Sequence, residues 1–398
     1  MADAPWMTII GLGEDGLDGL SLASRSALEA AEVIMGPARH LGLVPDTGAE
    51  RIEWPVPFAG GIERLKTLQG RRVAVLASGD PFWFGAGAVI ARHFQPAEWV
   101  AHPGRSTFSL GAARLGWSLE RTVCLGLHSA PLSRLRPHLA PGTRALVLLR
   151  DGDAVAALAA ELVAHGFADS RVTVMEALGG PKERITHHVA GRLEGRFAHP
   201  VCAAIDVADG GMALTCASGQ PDTVFRTDGV MTKRPVRALT LSALAPRPGE
   251  HLWDIGGGSG TVAIEWLLAH PANTALTIEP RADRVAMIRE NADALGADRL
   301  EIVEGRAPEA FAGLAQPDAV FVGGGLSSAL LDVLETALPP GTRMVANAVT
   351  LENDALLGQW HVRKGGELMR IEIAHSAPLG EKRGWKSAYP VTQWRGEL

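Results

Sequence analysis

The chain has 398 residues, of which 46% are hydrophobic and 21% are charged, and its formal net charge is −6. This length is enough for two or three domains with ordinary hydrophobic cores. The negative charge argues against a dedicated nucleic-acid binder. Cys124, Cys202 and Cys216 show no paired spacing, so neither a disulfide framework nor a zinc site is indicated. Since no leader and no apolar run of membrane length is found, we expect a soluble cytoplasmic protein without a membrane partner.

The first predicted element is a short strand that runs into a glycine loop. The stretch MTIIGLGEDGLDGLS, residues 7–21, places Gly11, Gly13 and Gly16 in the G-x-G-x-x-G spacing of dinucleotide sites. In such sites the third glycine opens a helix whose N-terminus receives a pyrophosphate. Here helical periodicity begins only near Ser21, and three carboxylates occupy the loop. A nucleotide phosphate is therefore not expected, while a plain strand-to-helix turn stays open.

Short strands then alternate with helical stretches as far as residue 207, which predicts an α/β architecture with largely parallel sheets. A break at residues 137–142 suggests that this region has two lobes. Residues 208–223 carry few charges and no clear period, as is typical of a linker. The expected organisation is a domain over 1–207, a linker over 208–223 and a second domain over 224–398. The strand candidates before the linker are MTIIG, EVIMG, RRVAVLAS, EWVAH, RALVLLR, RVTVME and PVCAAIDV.

The second domain opens on another glycine loop, WDIGGGSGTVAIEW, and closes on ELMRIEIAHSAPL and AYPVTQWR, which predict a final antiparallel pair. Dinucleotide spacing would require a glycine where the chain has Thr261. Asp254 ends the strand before the loop, and Glu279 ends the following strand. These features resemble the class I S-adenosyl-L-methionine (SAM) methyltransferases, in which such an acid accepts hydrogen bonds from ribose hydroxyls. A glycine turn in an unrelated Rossmann-like domain is the alternative.

The segment DAVFVGGG, residues 318–325, bears on the substrate. Enzymes that methylate amino nitrogens of bases or glutamine usually carry D/N-P-P-Y/F at this place, and this chain does not. Together with the negative charge, this disfavours a nucleic-acid substrate.

Longer motifs then point to a specific family. DGVMTKRPVRALTLSALAPRPGEHLWDIGGGSG, EGRAPEA, VFVGGG, ANAVTLEN and PVTQWR resemble the precorrin-6B C15-methylases and decarboxylases (CbiT type). GLGEDGLDGLS, ASGDPFWFGAG and HPGRSTFSLGAARLGW resemble the C5-methylating tetrapyrrole methylases (CbiE type). Both halves in this order resemble the bifunctional, decarboxylating C5,15-methyltransferases of cobalamin biosynthesis (CobL type), over nearly the whole chain.

The resemblance implies a two-lobed tetrapyrrole methylase fold followed by a Rossmann-like class I methyltransferase sheet. It implies SAM-dependent methylation of precorrin-6B at the C5 and C15 meso carbons, with decarboxylation of the ring C acetate at C12 to give precorrin-8. It also places the first glycine loop in a cleft between two lobes. Because such carbons are already nucleophilic, orientation supplies much of the rate, and no catalytic residue is assigned.

In the N-terminal half the resemblance carries cofactor contacts to the first glycine loop, to the SGDP turn and to the start of a helix. For Asp80, capping the turn before Pro81 is an equal alternative. The contacts are Gly11, Gly13, Gly79, Asp80, Pro81, Ser106 and Thr107.

In the C-terminal half the implied cofactor contacts again centre on the glycine loop. Plain N-capping is the alternative for Thr232, and Ala307 would act through its backbone N–H near the adenine. The contacts are Thr232, Gly256, Gly257, Gly258, Ser259, Gly260, Glu279, Arg306 and Ala307.

The implied substrate carries many carboxylates, so basic side chains are expected near a cleft mouth. Solvated surface positions are the alternative for the cations, core packing is the alternative for the aromatic residues, and bracing of a loop is the alternative for Asn347. His187 and His188 lack metal-ligand partners in the sequence, and no metal is assigned. The substrate-binding candidates are Lys233, Arg237, Asn347 and Trp394, followed by Arg234, Arg306, Lys382, Arg383, Trp385, Tyr389 and Arg395.

Two rival hypotheses remain. In the first, only the C-terminal methylase and decarboxylase is active, and the N-terminal module binds or docks the tetrapyrrole. The run LGLHSA supports it: His128 matches the family's SLHGR-like run, but Ser129 and Ala130 do not. The second rival is an RNA methylase with an unrelated N-terminal domain, which the charge disfavours. The resemblance further implies a homo-oligomer, formed through the C-terminal domain.

Overall fold

The computed structural model describes residues 5–398, which divide into two units. The first comprises residues 5–132 and 138–212, and the second comprises residues 133–137 and 213–398. The first four residues of the predicted domain 1–207 lie outside the described residues. Within residues 5–398 no helix combines the length and the apolar character needed to cross a membrane.

The first lobe of the first unit is a five-stranded sheet in which every pair of neighbouring strands is parallel. Its elements are β1 (Met7–Leu12), α1 (Leu22–Glu29), β2 (Val33–Gly36), α2 (Ala38–Leu43), β3 (Glu50–Glu53), α3 (Phe58–Lys66), β4 (Val73–Ser78), α4 (Ala86–Ile90) and β5 (Trp99–His102). The order β3-β2-β4-β1-β5 makes β4, β1 and β5 neighbours. Because parallel strands end at one edge, the loops after these three strands meet there. The predicted helix start is confirmed, since Ser21 accepts the Ser24 N–H at 3.1 Å.

The second lobe of this unit is a mixed sheet, so the prediction of largely parallel sheets is wrong here. Its elements are α5 (Thr107–Leu115), β6 (Thr122–Gly126), β7 (Arg144–Leu149), α6 (Asp153–Ala164), β8 (Arg171–Glu176), β9 (Arg184–Val189) and β10 (Val201–Asp206). The strand order is β6-β7-β10-β8-β9, and only β6 and β7 pair in parallel. The predicted strands are all found, and β3, β6 and β9 were missed.

The lobe boundary also differs from the predicted break at residues 137–142. Phe108 of α5 packs with Leu146 and Met175 of the second sheet, so α5 already belongs to the second lobe. The boundary therefore lies between β5 and α5. The break at 137–142 is a turn before β7, in which Gly142 has a φ of +78°.

The second unit contains the predicted Rossmann-like sheet. Its elements are α7 (Arg234–Leu244), β11 (His251–Ile255), α8 (Thr261–Ala269), β12 (Thr274–Glu279), α9 (Ala282–Ala294), β13 (Leu300–Glu304), β14 (Ala319–Val322), α10 (Ser328–Ala337), β15 (Arg343–Ala348), α11 (Leu351–Lys364), β16 (Glu367–Ile371), β17 (Ala374–Leu379), β18 (Lys382–Ser387) and β19 (Val391–Glu397). The order is β13-β12-β11-β14-β15-β19-β16, with β19 antiparallel to both neighbours. The predicted final pair is thus β16 and β19, while β17 and β18 form a separate two-stranded ribbon.

A buried arginine connects the segment before α7, residues 220–233, which we call the entry segment, to helices α7 and α8. Arg237 in α7 is 0% exposed and donates to Glu265 Oε1 at 2.6 Å, to Asp222 Oδ1 at 3.0 Å and to the Gln220 carbonyl at 2.5 Å. Its guanidinium is enclosed by these partners, and a second bond from Nη1 reaches the Thr232 carbonyl. The assignment of Arg237 to substrate binding is therefore corrected. Its buried guanidinium is bound by two carboxylates and two backbone carbonyls of the same unit.

Replacing Arg237 with alanine should lower the free energy of unfolding of the second unit by about 3–5 kcal/mol, because the Glu265 carboxylate would stay buried without its cation. Urea unfolding followed by tryptophan fluorescence measures this loss. The matched control is Arg395→Ala, which removes an exposed ion pair with Glu367 and should cost less than about 1 kcal/mol. Equal effects of the two substitutions would contradict the assignment.

Candidate functional site

Three loops meet at the carboxyl edge of the first sheet and form a cradle made of backbone. The Gly79 N–H donates to the Leu12 carbonyl at 3.0 Å, and the Gly104 N–H donates to the Gly79 carbonyl at 2.9 Å. A Cβ on Gly11 would lie 1.9 Å from the Gly79 carbonyl oxygen, and a Cβ on Gly104 would lie 2.6 Å from that of Gly11. No side chain fits at either position. Gly104 was missed as a site residue, although it lies inside the quoted motif HPGRSTF.

The acidic residues of the first loop have partners within the fold. Glu14 forms an ion pair with Arg39, and Asp15 forms one with Arg105. The Asp15 carboxylate also lies against Gly13, where a Cβ would approach Oδ1 to 2.5 Å. These carboxylates therefore fasten the loop to its surroundings. The acidic residues of this glycine loop are thus accounted for by ion pairs within the fold.

The remaining predicted contacts of this half lie on two neighbouring loops. Asp80 Oδ1 accepts the Phe82 N–H at 2.9 Å, so the turn-capping role is present. Ser106 is buried and caps α5 by accepting the Ser109 N–H at 3.0 Å, and Thr107 is the first residue of that helix. Gly79, with a φ of +51°, lies against the backbone before α5. The structure thus brings the SGDP turn and the α5 start together beside Gly11.

The turn after Pro81 presents a run of aromatic side chains that sequence reasoning had not assigned. Phe82, Trp83 and Phe84 are 42%, 38% and 49% exposed. The Trp83 ring lies 4.8 Å from that of Phe108, centroid to centroid. These side chains therefore leave an apolar surface next to the first cradle.

A second cradle lies at the carboxyl end of β11. Gly256, Gly258 and Gly260 have φ angles of +76°, +59° and +73°, which favour glycine. A Cβ on Gly256 would lie 2.6 Å from the Gly324 backbone, and one on Gly257 would lie 2.1 Å from Thr277 Oγ1. Because β14 is the neighbour of β11 in the sheet, the loop after β11 packs directly on the loop after β14.

Glu279 lies against this second glycine loop. It is 2% exposed, and its Oε2 accepts the Gly258 N–H at 2.9 Å while its Oε1 accepts the Arg281 N–H at 3.2 Å. Each carboxylate oxygen can accept two hydrogen bonds. Glu279 can therefore accept further donors at this loop without losing its backbone bonds.

Asp254 is a buried carboxyl group just below the same loop. Burial raises its pKa to about 7, and the nearby Glu279 charge acts in the same direction. A weak hydrogen bond from the Ala263 N–H, at 3.3 Å, acts in the opposite direction. The site therefore holds one carboxyl group that changes charge near neutral pH.

The segment before α7 lies against the glycine loop. Ser259 Oγ lies 3.0 Å from both the Val230 carbonyl, to which it can donate its one proton, and Thr227 Oγ1, from which it can accept. Asn291 of α9, which belongs to no motif in the sequence, donates to the carbonyls of Arg226 and Ser259, both at 2.9 Å. Thr232 follows in this segment, but the N-cap position of α7 is Lys233, so the capping alternative for Thr232 is wrong.

The other predicted site residues of this half differ in how far they are exposed. Arg306 and Lys233 are exposed, and Ala307 is partly buried. Asn347 at the end of β15 donates to Thr240 Oγ1 at 2.9 Å and accepts from Gln393 at 2.9 Å, which fixes its amide.

The aromatic candidates of the last strands separate into two groups. Trp394 is 0% exposed and donates to the Gly365 carbonyl at 2.9 Å. Its assignment to substrate binding is therefore corrected, and its core-packing alternative holds. Trp385 and Tyr389 are 81% and 85% exposed, so core packing is wrong for these two.

Comparison with known proteins assigns both halves of the chain. A family described as tetrapyrrole (corrin/porphyrin) methylases matches residues 7–194, and a family described as precorrin methyltransferase domain matches residues 223–397. The second match lies wholly within the second unit.

Two relatives match this chain over nearly its whole length, and a third matches part of it. A precorrin-6Y C(5,15)-methyltransferase [decarboxylating] of Sinorhizobium sp is 48% identical over 397 residues, covering 98% of this chain and 96% of the relative. A protein of the same name from Mycobacterium tuberculosis (strain H37Rv) is 40% identical, covering 97% and 98%. A cobalt-precorrin-6B C(15)-methyltransferase (decarboxylating) of Salmonella typhimurium is 34% identical over 166 residues, covering 40% of this chain and 85% of the relative.

The raised pKa of Asp254 has a consequence for stability. Between about pH 4 and pH 7 the folded protein holds a proton on Asp254 that the unfolded chain releases, since burial raises the pKa from 3.8 to about 7. The free energy of unfolding of the wild type relative to Asp254→Asn should therefore fall as pH rises, by about 1.4 kcal/mol per pH unit, and level off above pH 7. Urea unfolding of both proteins across this range measures the difference.

Asp283→Asn is the matched control, because Arg281 holds the pKa of this exposed carboxyl below its usual range. Its stabilising contribution should be present at neutral pH and lost in acid, which is the opposite sign. A pH-independent difference between the wild type and Asp254→Asn would contradict the raised pKa.

Proposed function

The chain belongs to the precorrin-6Y C5,15-methyltransferase (decarboxylating) family, and from this premise we propose that it methylates a precorrin at the C5 and C15 meso carbons and decarboxylates the ring C acetate at C12. The proposed substrate is precorrin-6B and the product is precorrin-8. One observation carries the proposal: each half contains its own glycine cradle where a side chain would collide with a neighbouring loop. The cytoplasmic location and the homo-oligomer that the sequence predicts belong to the same proposal.

We assign the two kinds of chemistry to different domains. The name of the Salmonella relative combines C15 methylation with decarboxylation, although that relative aligns with only 40% of this chain. Both reactions therefore fit within one domain, which we propose to be 224–398. C5 methylation is left to domain 1–207, with 208–223 as the linker. The boundary of the two units between residues 212 and 213 supports this division.

The residues of both cradles fit S-adenosyl-L-methionine. When bound, this cofactor supplies a methyl group that its sulfonium charge has already activated. In the second domain the backbone of Gly256–Gly260 would hold it, with Glu279 accepting from ribose hydroxyls and Thr232, Arg306 and Ala307 at its edges. The buried carboxyl groups of Asp254 and Glu279 favour a cationic ligand over a phosphate. The first-domain set is Gly11, Gly13, Gly79, Asp80, Pro81, Ser106 and Thr107.

The contribution of the protein to methyl transfer is mainly orientation. Backbone N–H and C=O groups in both cradles are already fixed by bonds between loops, so little rearrangement is needed on binding. The held amide of Asn347 and the exposed Lys233 are the proposed substrate contacts of the second domain. For decarboxylation the protein must orient the carboxylate and stabilise charge that develops on the macrocycle.

Mass spectrometry of the tetrapyrrole product tests the proposal with the full chain. Given SAM and reduced precorrin-6 substrate, the wild type should add two methyl groups and remove one carboxyl group as CO₂. Gly11→Ala should abolish only the C5 methylation, because its Cβ collides with the Gly79 carbonyl. Gly256→Ala should abolish C15 methylation and decarboxylation, because its Cβ collides with Gly324.

Gly116→Ala and Gly249→Ala are the matched controls, since both glycines have positive φ angles but no atom within 4 Å of the added Cβ. Both controls should retain all three reactions. A single methyl group from the wild type would favour the rival in which the N-terminal module only binds the tetrapyrrole. An unchanged tetrapyrrole mass would refute the assignment to this pathway.

A further inference from the structure

A pocket in the second lobe of the first unit has no assigned role. It has a volume of about 370 Å³ and lies where β8 ends, β9 begins and the segment before β10 passes. Its lining includes the apolar side chains of Ala177 and Phe197 and the basic side chains of Lys182, Arg184, Arg196 and His199.

The acidic groups around this pocket already have partners. Glu176 is 3% exposed and is bound by Arg184 Nε at 2.6 Å and by the Ala198 N–H at 2.6 Å. Glu183, in the loop between β8 and β9, is bound by both Arg114 Nε and Nη2, at 2.7 and 2.9 Å. Neither carboxylate is therefore available to a lysine or arginine at the pocket mouth.

Lys182 and Arg196 are the basic groups that remain. Both are exposed, and neither side chain forms an ion pair with any residue in the described range 5–398. His199 adds no charge at neutral pH, because burial and the Arg39 charge lower its pKa. The pocket therefore presents two uncompensated cations beside the Phe197 ring.

The pocket lies next to the first glycine cradle. Gly180, in the same β8–β9 loop, touches Glu14 so closely that a Cβ would lie 2.6 Å from the Glu14 Cβ. Glu14 in turn pairs with Arg39, whose charge reaches His199. The β8–β9 loop, which contributes Lys182 to the pocket, is therefore in direct contact with the first glycine loop.

We propose that Lys182 and Arg196 bind a carboxylate side chain of the macrocycle while C5 is methylated, an inference that rests on the proposed function. Lysine and arginine form strong, charge-assisted hydrogen bonds with carboxylates, and the apolar lining suits the methylene groups of an acetate or propionate arm. The methionine part of SAM carries a carboxylate as well, so the experiment must separate the two sources.

Kinetics of the full chain provide the test. Lys182→Ala and Arg196→Ala should each raise the KM for the tetrapyrrole in C5 methylation by about tenfold, with kcat nearly unchanged, because the contact is made equally in the ground and transition states. The KM for SAM should not change. C15 methylation and decarboxylation, measured in the same preparation, should stay at the wild-type rate and report that the second domain is folded, while the unchanged kcat and KM for SAM in C5 methylation report the same for the first domain.

Two further variants sharpen the result. Arg192→Ala removes an exposed arginine of the β9–β10 connection outside the pocket lining and should leave the tetrapyrrole KM unchanged. Lys182→Arg keeps the charge and should retain most of the affinity. If the Lys182→Ala, Arg196→Ala double variant keeps a tetrapyrrole KM within about twofold of the wild type, the pocket does not bind the macrocycle. A raised KM for SAM alone would overturn the macrocycle assignment in favour of the cofactor.

A binding titration separates this proposal from the proposed function. If the wild type transfers no methyl group to C5, the proposed activity of the first domain fails. Absorbance titration of the same tetrapyrrole into the wild type and the double variant then decides about the pocket. Loss of one binding site in the double variant would support it, and unchanged binding would refute it.

Discussion

Both halves of the molecule depend on a close approach of backbone to backbone at the carboxyl ends of parallel strands. In the first unit the Gly79 carbonyl occupies the space where a Gly11 side chain would stand, and in the second unit Gly324 does the same to Gly256. The two sheets differ in strand order, yet each brings the loops of adjacent strands together. This constraint accounts for Gly11, Gly104 and Gly256 and for the position of both cradles.

Such loops need to be held in place from outside, and the two units do so differently. In the first unit, ion pairs from Glu14 and Asp15 to Arg39 and Arg105 fasten the glycine loop. In the second unit, neutral hydrogen bonds from Asn291 and Ser259 connect the glycine loop to the entry segment. Fixed backbone groups suit reactions in which orientation contributes more than acid–base chemistry.

The sequence predicts the local parts of this arrangement and misses the long-range parts. Both glycine loops and the strands before them are visible because spacing and hydrophobicity along the chain define them. The membership of α5 in the second lobe depends on Phe108 meeting Met175, which no local pattern shows. The same reason explains the errors at Arg237 and Trp394, since a basic or aromatic residue near a site motif looks equally suited to a ligand or to the core. The role of Asn291 could not be predicted from the sequence, because its partners Arg226 and Ser259 are distant along the chain.

Charge distinguishes the places where the two proposed ligands would bind. Asp254 and Glu279 are buried acids at the second cradle, and the acids of the first cradle are neutralised by arginines within the fold. Neither cradle is therefore built for a polyanion. The uncompensated cations of the first unit are Lys182 and Arg196, and the loop that carries Lys182 contacts the first glycine loop where Gly180 meets Glu14. In the first unit a polycarboxylate acceptor would thus be attracted to Lys182 and Arg196 rather than to the glycine loop, whose acids are already paired. This separation of charge would give the acceptor and the methyl donor different binding places and so favour their relative orientation.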